Sequence, residues 1–194
     1  MLKELFENCL SGPWITGNND TQYKIDNGIL YFQCSNSTSD WLSNFDFPIE
    51  PYKDGPIEWY GHKGFIDTWK ANRDKLLHEI VTNNVTTIVG YSRGAAIALL
   101  THEDCIYNNI KVKTYAFGCP RVVWMPNKEL LTRWNDFTRV KVRGDIVTNL
   151  PPWLFGYKHV GREIKIGPGT FPWPSHHEPK EYISYIYKKY NKGP

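Results

Sequence analysis

A serine stands between two glycines in the segment Gly90–Gly94, which has the sequence Gly-Tyr-Ser-Arg-Gly. The β-branched run Thr86–Val89 precedes it and small and aliphatic residues follow it, so the predicted local order is strand, tight turn, helix. A serine at such a turn can act as a nucleophile, because small neighbours let the chain bend sharply and the following helix presents backbone N–H groups where negative charge develops. A glycine-rich turn without chemistry is the alternative. The rest of the chain must therefore supply an acid and a base for Ser92.

An acidic partner for Ser92 is expected just beyond a later strand, because sites in parallel sheets form at the carboxyl ends of the strands. Asp145 directly follows residues 138–144, which predict a strand. Asp136 precedes that strand and so belongs to the opposite edge of the sheet, and Asp104 is expected on a helix surface. Asp145 is therefore the candidate. A role in capping a turn is the alternative for this aspartate.

The base must come from six histidines. His102 lies ten residues after Ser92 in the predicted helix, about 15 Å along the axis and beyond reach. Three others stand upstream of the serine or at the start of a strand, where structural roles are expected: His62, His78 and His159. His176 and His177 lie in the loop after the last predicted strand, a place that suits a general base. The residues alone leave these two open.

Strands alternate with helices along the chain, which predicts an α/β fold with a mostly parallel central sheet and helices on both faces. We expect one domain over residues 1–194. Asn27-Gly28 predicts a hairpin turn, and residues 35–63 are expected to be irregular. A continuous amphipathic helix is expected over residues 64–83, and a final helix over residues 179–190.

Composition argues against several classes of protein. The formal net charge of +3 is too small to favour nucleic acid as a partner. No apolar run approaches the ~18 residues of a membrane span, and Lys3 and Glu4 make the first residues typical of a short amphipathic helix. The chain as given is therefore expected to be soluble and cytoplasmic, with secretion left open. The four cysteines show no metal-like spacing with histidine, and two of them lie in apolar strand surroundings that suit buried free thiols better than disulfides.

Six motifs in order, between about Gln22 and Tyr190, resemble those of the class 3 lipases, the family of fungal triacylglycerol lipases and feruloyl esterases. They are the segments YFQCSNSTSDWLSNF, HKGFIDTW, GYSRGAAIA, YAFGCPRV, DIVTNLPP with YKHVG, and HEPKEYI. The resemblance implies an α/β-hydrolase-like fold with Ser92 as nucleophile and Asp145 as orienting acid. It favours His177 as base because that residue stands five positions before Tyr182, with His176 as the fallback.

The resemblance also implies an oxyanion hole made by the backbone N–H groups of Ser35 and Arg93. His159 matches a recurring family histidine that is not the base. The chain departs from the family pattern in two segments. Gln33-Cys34 stands where the family has Arg-Gly, and Arg93 stands where many members have leucine.

The predicted reaction is two-step acyl transfer to water, without cofactor or metal. A hydrophobic acyl group is expected because aromatic residues surround the site, although about half of them could instead anchor loops. These candidates for substrate binding are Trp41, Phe45, Trp153, Phe155 and Trp173. The expected partner is a small-molecule or lipid ester, with transient contact with a lipid interface left open. Alternatives are a short-chain or aryl esterase, a phospholipase A1-type enzyme and, from another class, an inactive acyl-binding protein.

Overall fold

The computed structural model describes residues 1–33, 47–55, 57–169 and 171–190. The strands in these ranges are β1 Ile15–Thr16, β2 Gln22–Asp26, β3 Ile29–Gln33, β4 Ile49–Tyr52, β5 Trp59–His62, β6 Thr87–Tyr91, β7 Lys113–Phe117, β8 Val123–Trp124, β9 Phe137–Val142, β10 Tyr157–Lys158 and β11 Arg162–Ile166. A seven-stranded sheet has the order β1-β2-β3-β6-β7-β9-β11. From β3 to β11 every neighbouring pair is parallel, which confirms the predicted mostly parallel sheet.

The first strands form the predicted hairpin. Asn27 and Gly28 join β2 to β3 with φ values of 48° and 72°. Positive φ at both central residues is the backbone that a tight hairpin turn requires and that asparagine and glycine tolerate best. The hairpin delivers β3 to its parallel pairing with β6, the strand that leads to Ser92.

Helices cover both faces of this sheet, as predicted. They are α1 Leu2–Asn8, α2 Lys63–Lys70, α3 Arg73–Thr82, α4 Arg93–Tyr107, α5 Lys128–Thr132 and α6 Pro179–Tyr190. Side chains alternate along a strand, so Ile88 of β6 packs in the core with α2, α3 and α4, whereas Val89 packs in the core with α1 and α6. No helix in the described ranges is long and apolar enough to cross a membrane.

A second sheet departs from the prediction of an irregular segment. Strands β4 and β5 pair antiparallel and continue into β8 and β10. Both β4 and β5 fall within residues 35–63, so the prediction is wrong for that part. On its other side β5 pairs with β8, which comes much later in the chain, and a local pattern could not reveal this pairing.

The helix expected over residues 64–83 is broken into α2 and α3. Asn72 lies at the break, where its amide donates to the carbonyl of Thr68 and its Oδ1 accepts from the backbone N–H of Asn18, at 2.8 and 2.7 Å. Side-chain to backbone hydrogen bonds of this kind compete with helix continuation. The prediction of one continuous helix is therefore wrong, and the cause is a contact with a distant turn.

Asp104 does not lie on a helix surface as expected. Its carboxylate is fully buried and accepts hydrogen bonds from Trp69 Nε1 and Arg73 Nε, each at 2.7 Å. Because α2 and α3 pack against α4, this end of α4 is covered, and a buried carboxylate needs such partners.

Candidate active site

Ser92 occupies the turn between β6 and α4 and is fully buried. Its φ and ψ are 58° and −124°, a backbone that few residues other than glycine adopt. The Ser92 N–H donates to the carbonyl of Phe117 on β7 at 2.9 Å, and the Ser92 carbonyl accepts from Ala95 at 3.0 Å. These bonds hold the strained residue at the carboxyl edge of the sheet, as expected for the strand-turn-helix motif.

The two glycines of the motif are required by packing. A β-carbon on Gly90 would lie 2.5 Å from the Gly94 carbonyl oxygen, and one on Gly94 would lie 2.5 Å from the Phe32 carbonyl oxygen. Both contacts are with backbone, which cannot move aside cheaply. The spacing of glycines around Ser92 therefore lets α4 begin directly against β6 and β3.

His177 lies beside Ser92 at the end of the short helical turn Pro174–His177. Its Nε2 atom is 2.8 Å from Ser92 Oγ and its Nδ1 atom is 2.9 Å from Asp145 Oδ2. A carboxylate only accepts hydrogen bonds, so Nδ1 carries the proton and Nε2 is left to accept the serine hydroxyl proton. The imidazole is buried, which protects both hydrogen bonds from water.

Asp145 follows β9 and is fully buried. Its Oδ1 accepts from the backbone N–H of Val147 at 2.9 Å, and its Oδ2 accepts from His177 and from the hydroxyl of Tyr182 on α6. Burial and the nearby carboxylate raise the pKa of Tyr182 well above its ordinary value, so the phenol stays protonated and donates. The carboxylate thus has a fixed orientation.

His176, the neighbour of His177, takes another direction. Its Nδ1 lies 3.3 Å from the carbonyl oxygen of Gly144. The structure therefore brings His177, and not His176, to Ser92.

Two further histidines have structural surroundings, in line with the sequence prediction. Nδ1 of His102 lies 2.9 Å from Thr114 Oγ1, and burial lowers the pKa of His102 to about 4. Nε2 of His159 lies 2.8 Å from the Thr148 carbonyl oxygen, and burial lowers the pKa of His159 to about 3.

Arg93 is the first residue of α4, so its backbone N–H lies in the N-terminal turn of the helix. Its guanidinium donates to the carbonyl of Asn19 at 2.7 Å and to Thr68 Oγ1 at 3.2 Å. The side chain therefore turns towards the start of the chain and α2. Ser35, the other expected oxyanion residue, lies outside the described residues.

The aromatic candidates for substrate binding are only partly described. Trp41 and Phe45 lie outside the described residues. Trp153 and Phe155 stand on the loop after Asp145 and are 61% and 60% exposed. Trp173 is exposed as well, and its backbone N–H donates to Gly144 next to Asp145 at 2.9 Å.

The sequence analysis did not predict a role in the site for three residues: Tyr91, Gly118 and Tyr182. Gly118 has a φ of 58°, and a β-carbon there would lie 2.8 Å from Cε1 of His177. A glycine in the segment after β7 was visible as a motif, but its role depends on the approach of a loop from far along the chain. No group of His, Cys, Asp and Glu side chains in the described ranges could hold a metal ion.

The parallel sheet, flanked by helices and carrying a strained serine between β6 and α4, defines an α/β-hydrolase fold. Residues 29–155 match the sequence model of the family described as Lipase (class 3). The chain therefore belongs to the class 3 lipase family.

Individual relatives agree with this assignment. The chain is similar to a secreted mono- and diacylglycerol lipase of Fusarium solani, with 28% identity over 66% of the chain and 40% of the relative. It is also similar to a phospholipase A1 of Oryza sativa, with 30% identity over 53% of the chain and 28% of the relative. The crystal structure of the mono- and diacylglycerol lipase from Aspergillus oryzae superposes with a TM-score of 0.69 and 27% identity, covering 80% of this chain and 62% of that one. The chain thus spans less than half the length of both sequence relatives.

Proposed function

We propose that this protein is a serine hydrolase that cleaves carboxylic esters of hydrophobic acyl groups. The observation that carries the proposal is the continuous hydrogen-bonded line from Ser92 Oγ through the imidazole of His177 to the carboxylate of Asp145. A serine hydroxyl is a weak nucleophile by itself, and an adjacent base that is oriented by an acid activates it. Membership of the class 3 lipase family supports the same reaction.

In the proposed mechanism, Ser92 Oγ attacks the ester carbonyl while its proton passes to Nε2 of His177. The Asp145 carboxylate stabilises the imidazolium that forms. The C–O bond to the alcohol then breaks, and the alcohol leaves with the proton from His177. Water attacks the acyl-serine in the same way, His177 takes a proton from it, and the acid is released as Ser92 regains its hydroxyl.

The backbone N–H groups of Arg93 and Ser35 are proposed to stabilise the oxyanion. The position of Arg93 at the N-terminus of α4 supports this assignment, because the helix dipole favours negative charge there. Loss of one such donor costs about 3 kcal/mol of transition-state stabilisation. The contacts of the Arg93 guanidinium with Asn19 and Thr68 hold this residue in place.

A lipid ester at an interface is the proposed substrate because of an exposed apolar surface on β5 and on two loops, one after β8 and one after Asp145. This surface consists of Tyr60, Met125, Trp153, Leu154 and Phe155, whose exposed fractions range from 42% to 75%. Hydrogen bonds from Met125 N–H to Gly156 and from Trp124 Nε1 to Phe155 join the two loops, at 2.9 and 2.8 Å. Large exposed apolar groups that are held together in this way suit transient contact with lipid.

A phospholipase A1-type activity is the second candidate, and the rice relative, which bears that name, favours it. An inactive acyl-binding protein is disfavoured by the hydrogen-bonded Ser92, His177 and Asp145. The cytoplasmic location stays a prediction, and the Fusarium relative is named as a secreted lipase.

The proposal is tested by hydrolysis of p-nitrophenyl esters with short, medium and long acyl chains, with a diacyl phospholipid assayed beside them. We expect Ser92→Ala to lower kcat by at least about a thousandfold, with the fold retained. Ser175→Ala is the matched control, because Ser175 lies exposed in the turn that carries His177. Hydrolysis that survives Ser92→Ala, or a folded wild type that turns over no ester, would overturn the proposal.

A further inference from the structure

We propose that Tyr91, the residue directly before Ser92, is a positioning residue that holds His177 in line with the serine. This inference rests on the proposed function. Tyr91 contacts His177 in two ways. The two rings are stacked, with centroids 5.1 Å apart and planes inclined by 17°. The Tyr91 hydroxyl also donates a hydrogen bond to the backbone carbonyl of His177.

The two contacts restrain different motions of the same residue. A stacked phenol ring opposes rotation of the imidazole out of the plane in which Nε2 faces Ser92 and Nδ1 faces Asp145. The bond to the carbonyl fixes the backbone at the end of the Pro174–His177 turn, from which the side chain extends. Neither contact touches Nε2 or Nδ1, so Tyr91 leaves both catalytic hydrogen bonds of His177 intact.

Tyr91 can act as a restraint because its own ring is held firmly. Tyr91 is buried, and its ring makes T-shaped contacts with the rings of Phe6 on α1 and Tyr182 on α6, with centroids 5.3 and 5.9 Å away. Phe6 and Tyr182 are themselves in contact, at 5.4 Å. The ring therefore connects the base to the core on one face of the sheet, in which α1 and α6 take part.

The position of Tyr91 in the chain links it directly to the nucleophile. Tyr91 is the last residue of β6 and Ser92 follows it, so nucleophile and restraint share one strained turn. A displacement of that turn would carry Ser92 and the ring on His177 together. Their relative geometry is thereby kept, which matters because a shift of about 1 Å in a catalytic group can cost on the order of a hundredfold in rate.

Two variants separate the two contacts. Tyr91→Phe keeps the ring and removes the hydroxyl, and we expect kcat to fall about fivefold at unchanged KM. Tyr91→Leu removes the stack as well, and we expect a fall in kcat of about a hundredfold. Tyr115→Phe is the matched control, since Tyr115 is paired with Val89 on the neighbouring strand and packs against the same core. It is expected to leave kcat within twofold of wild type.

Each kcat is calculated per reactive site. The number of reactive sites is measured from the burst of p-nitrophenol released by a p-nitrophenyl alkylphosphonate, so partly unfolded protein does not lower the kcat. A merely structural role for Tyr91 would lower the melting temperature and leave kcat per reactive site unchanged, and that result would overturn the inference. Failure of the proposed function is a different result, because wild type would then give no Ser92-dependent burst.

The positioning role of Tyr91 can also be tested without substrate turnover, and so even if wild type gives no burst. Proton–nitrogen NMR of the His177 ring should give one set of signals in wild type and Tyr115→Phe, and broadened or multiple signals in Tyr91→Leu. Identical His177 signals in wild type and Tyr91→Leu would overturn the positioning role.

Discussion

The Oγ atom of Ser92 and the Nε2 atom of His177 lie 2.8 Å apart, although 85 positions separate the two residues in the chain. Ser92 reaches this point at the end of β6, and His177 reaches it from the loop after β11, at the far edge of the parallel strands. The contact depends on both the sheet order and the turn before α6. Within hydrogen-bond reach, proton transfer needs no prior rearrangement of either side chain.

The choice between two adjacent histidines is directly testable. We expect His177→Ala to lower kcat for p-nitrophenyl esters by at least about a thousandfold, because it removes the only described imidazole that contacts Ser92. His176→Ala is expected to stay within about threefold of wild type, since His176 Nδ1 faces the Gly144 carbonyl. The reverse pattern, in esterase assays of the two purified variants, would assign the base to His176.

Tyr182 is expected to contribute through Asp145. Tyr182→Phe removes one donor to Asp145 Oδ2 and leaves the ring in its core. Hydrogen bonds to charged groups contribute about 1.5 to 3 kcal/mol, so at the lower end of that range we expect kcat to fall about tenfold and the free energy of unfolding to fall by about 1.5 kcal/mol. Steady-state kinetics and urea unfolding measure the two effects separately. Unchanged kcat with lowered stability would restrict Tyr182 to a structural role.

Local signals in the sequence predicted much of this site. Asn27-Gly28 predicted the hairpin, the glycines around Ser92 predicted the sharp turn, and Asp145 stood where a strand had to end. Each of these features depends on the backbone conformation of a few neighbouring residues, so the local sequence is enough to predict it. The bounds of α6, Pro179–Tyr190, agree with the prediction for the same reason.

Features that depend on distant partners could not be predicted. Strand β5 enters the second sheet through the pairing of Gly61 with Val123 of β8, and Asn72, at the break between α2 and α3, is hydrogen-bonded to Asn18. Likewise, nothing in its neighbours indicates that Tyr91 stacks on His177, because that contact requires the loop after β11 to fold back over the turn. The residues that carry the chemistry could be predicted from the sequence, and the contacts that Tyr91 and Tyr182 make with His177 and Asp145 could not.

Gly94 gives a sharp test of the packing at the turn. Gly94→Ala places a β-carbon 2.5 Å from the backbone oxygen of Phe32, and overpacking against a backbone costs about 3 kcal/mol. We expect that loss in urea unfolding, together with loss of esterase activity as Ser92 moves. Gly169→Ala is the control, because a β-carbon there meets no atom within 4 Å. Equal stability of the two variants would contradict the close approach of α4 to β3.

His159 should make the fold sensitive to acid. Burial lowers its pKa from the ordinary 6.5 to about 3, so below pH 6.5 the unfolded chain binds a proton that the folded chain does not. The contribution to stability is complete above pH 6.5 and is lost as the pH falls towards 3, by up to about 1.4 kcal/mol per pH unit. His159→Gln keeps a neutral donor for the Thr148 carbonyl and removes this titration.

The measurement is urea unfolding of wild type and His159→Gln at a series of pH values from 7 to 4.5. We expect the stability of wild type, relative to the variant, to decrease by about 2 to 3 kcal/mol over that interval. The control is His78→Gln, the same substitution at an exposed position on α3. A constant difference between wild type and His159→Gln at all pH values would contradict a neutral His159 imidazole in the folded protein.

The exposed apolar surface can be tested without touching the candidate catalytic residues. Met125 and Leu154 are 64% and 75% exposed, and burying such side chains in lipid gains about 1.5 to 3 kcal/mol each. We expect the double variant Met125→Glu/Leu154→Glu to bind phosphatidylcholine vesicles at least about tenfold more weakly and to act more slowly on emulsified triacylglycerol. Val81→Glu, at an exposed apolar position on α3, is the matched control for added charge. If both variants bind vesicles as wild type does, lipid reaches the site by another surface. If the double variant loses as much activity on soluble esters as on emulsified triacylglycerol, the substitutions have disturbed Ser92 or His177 instead.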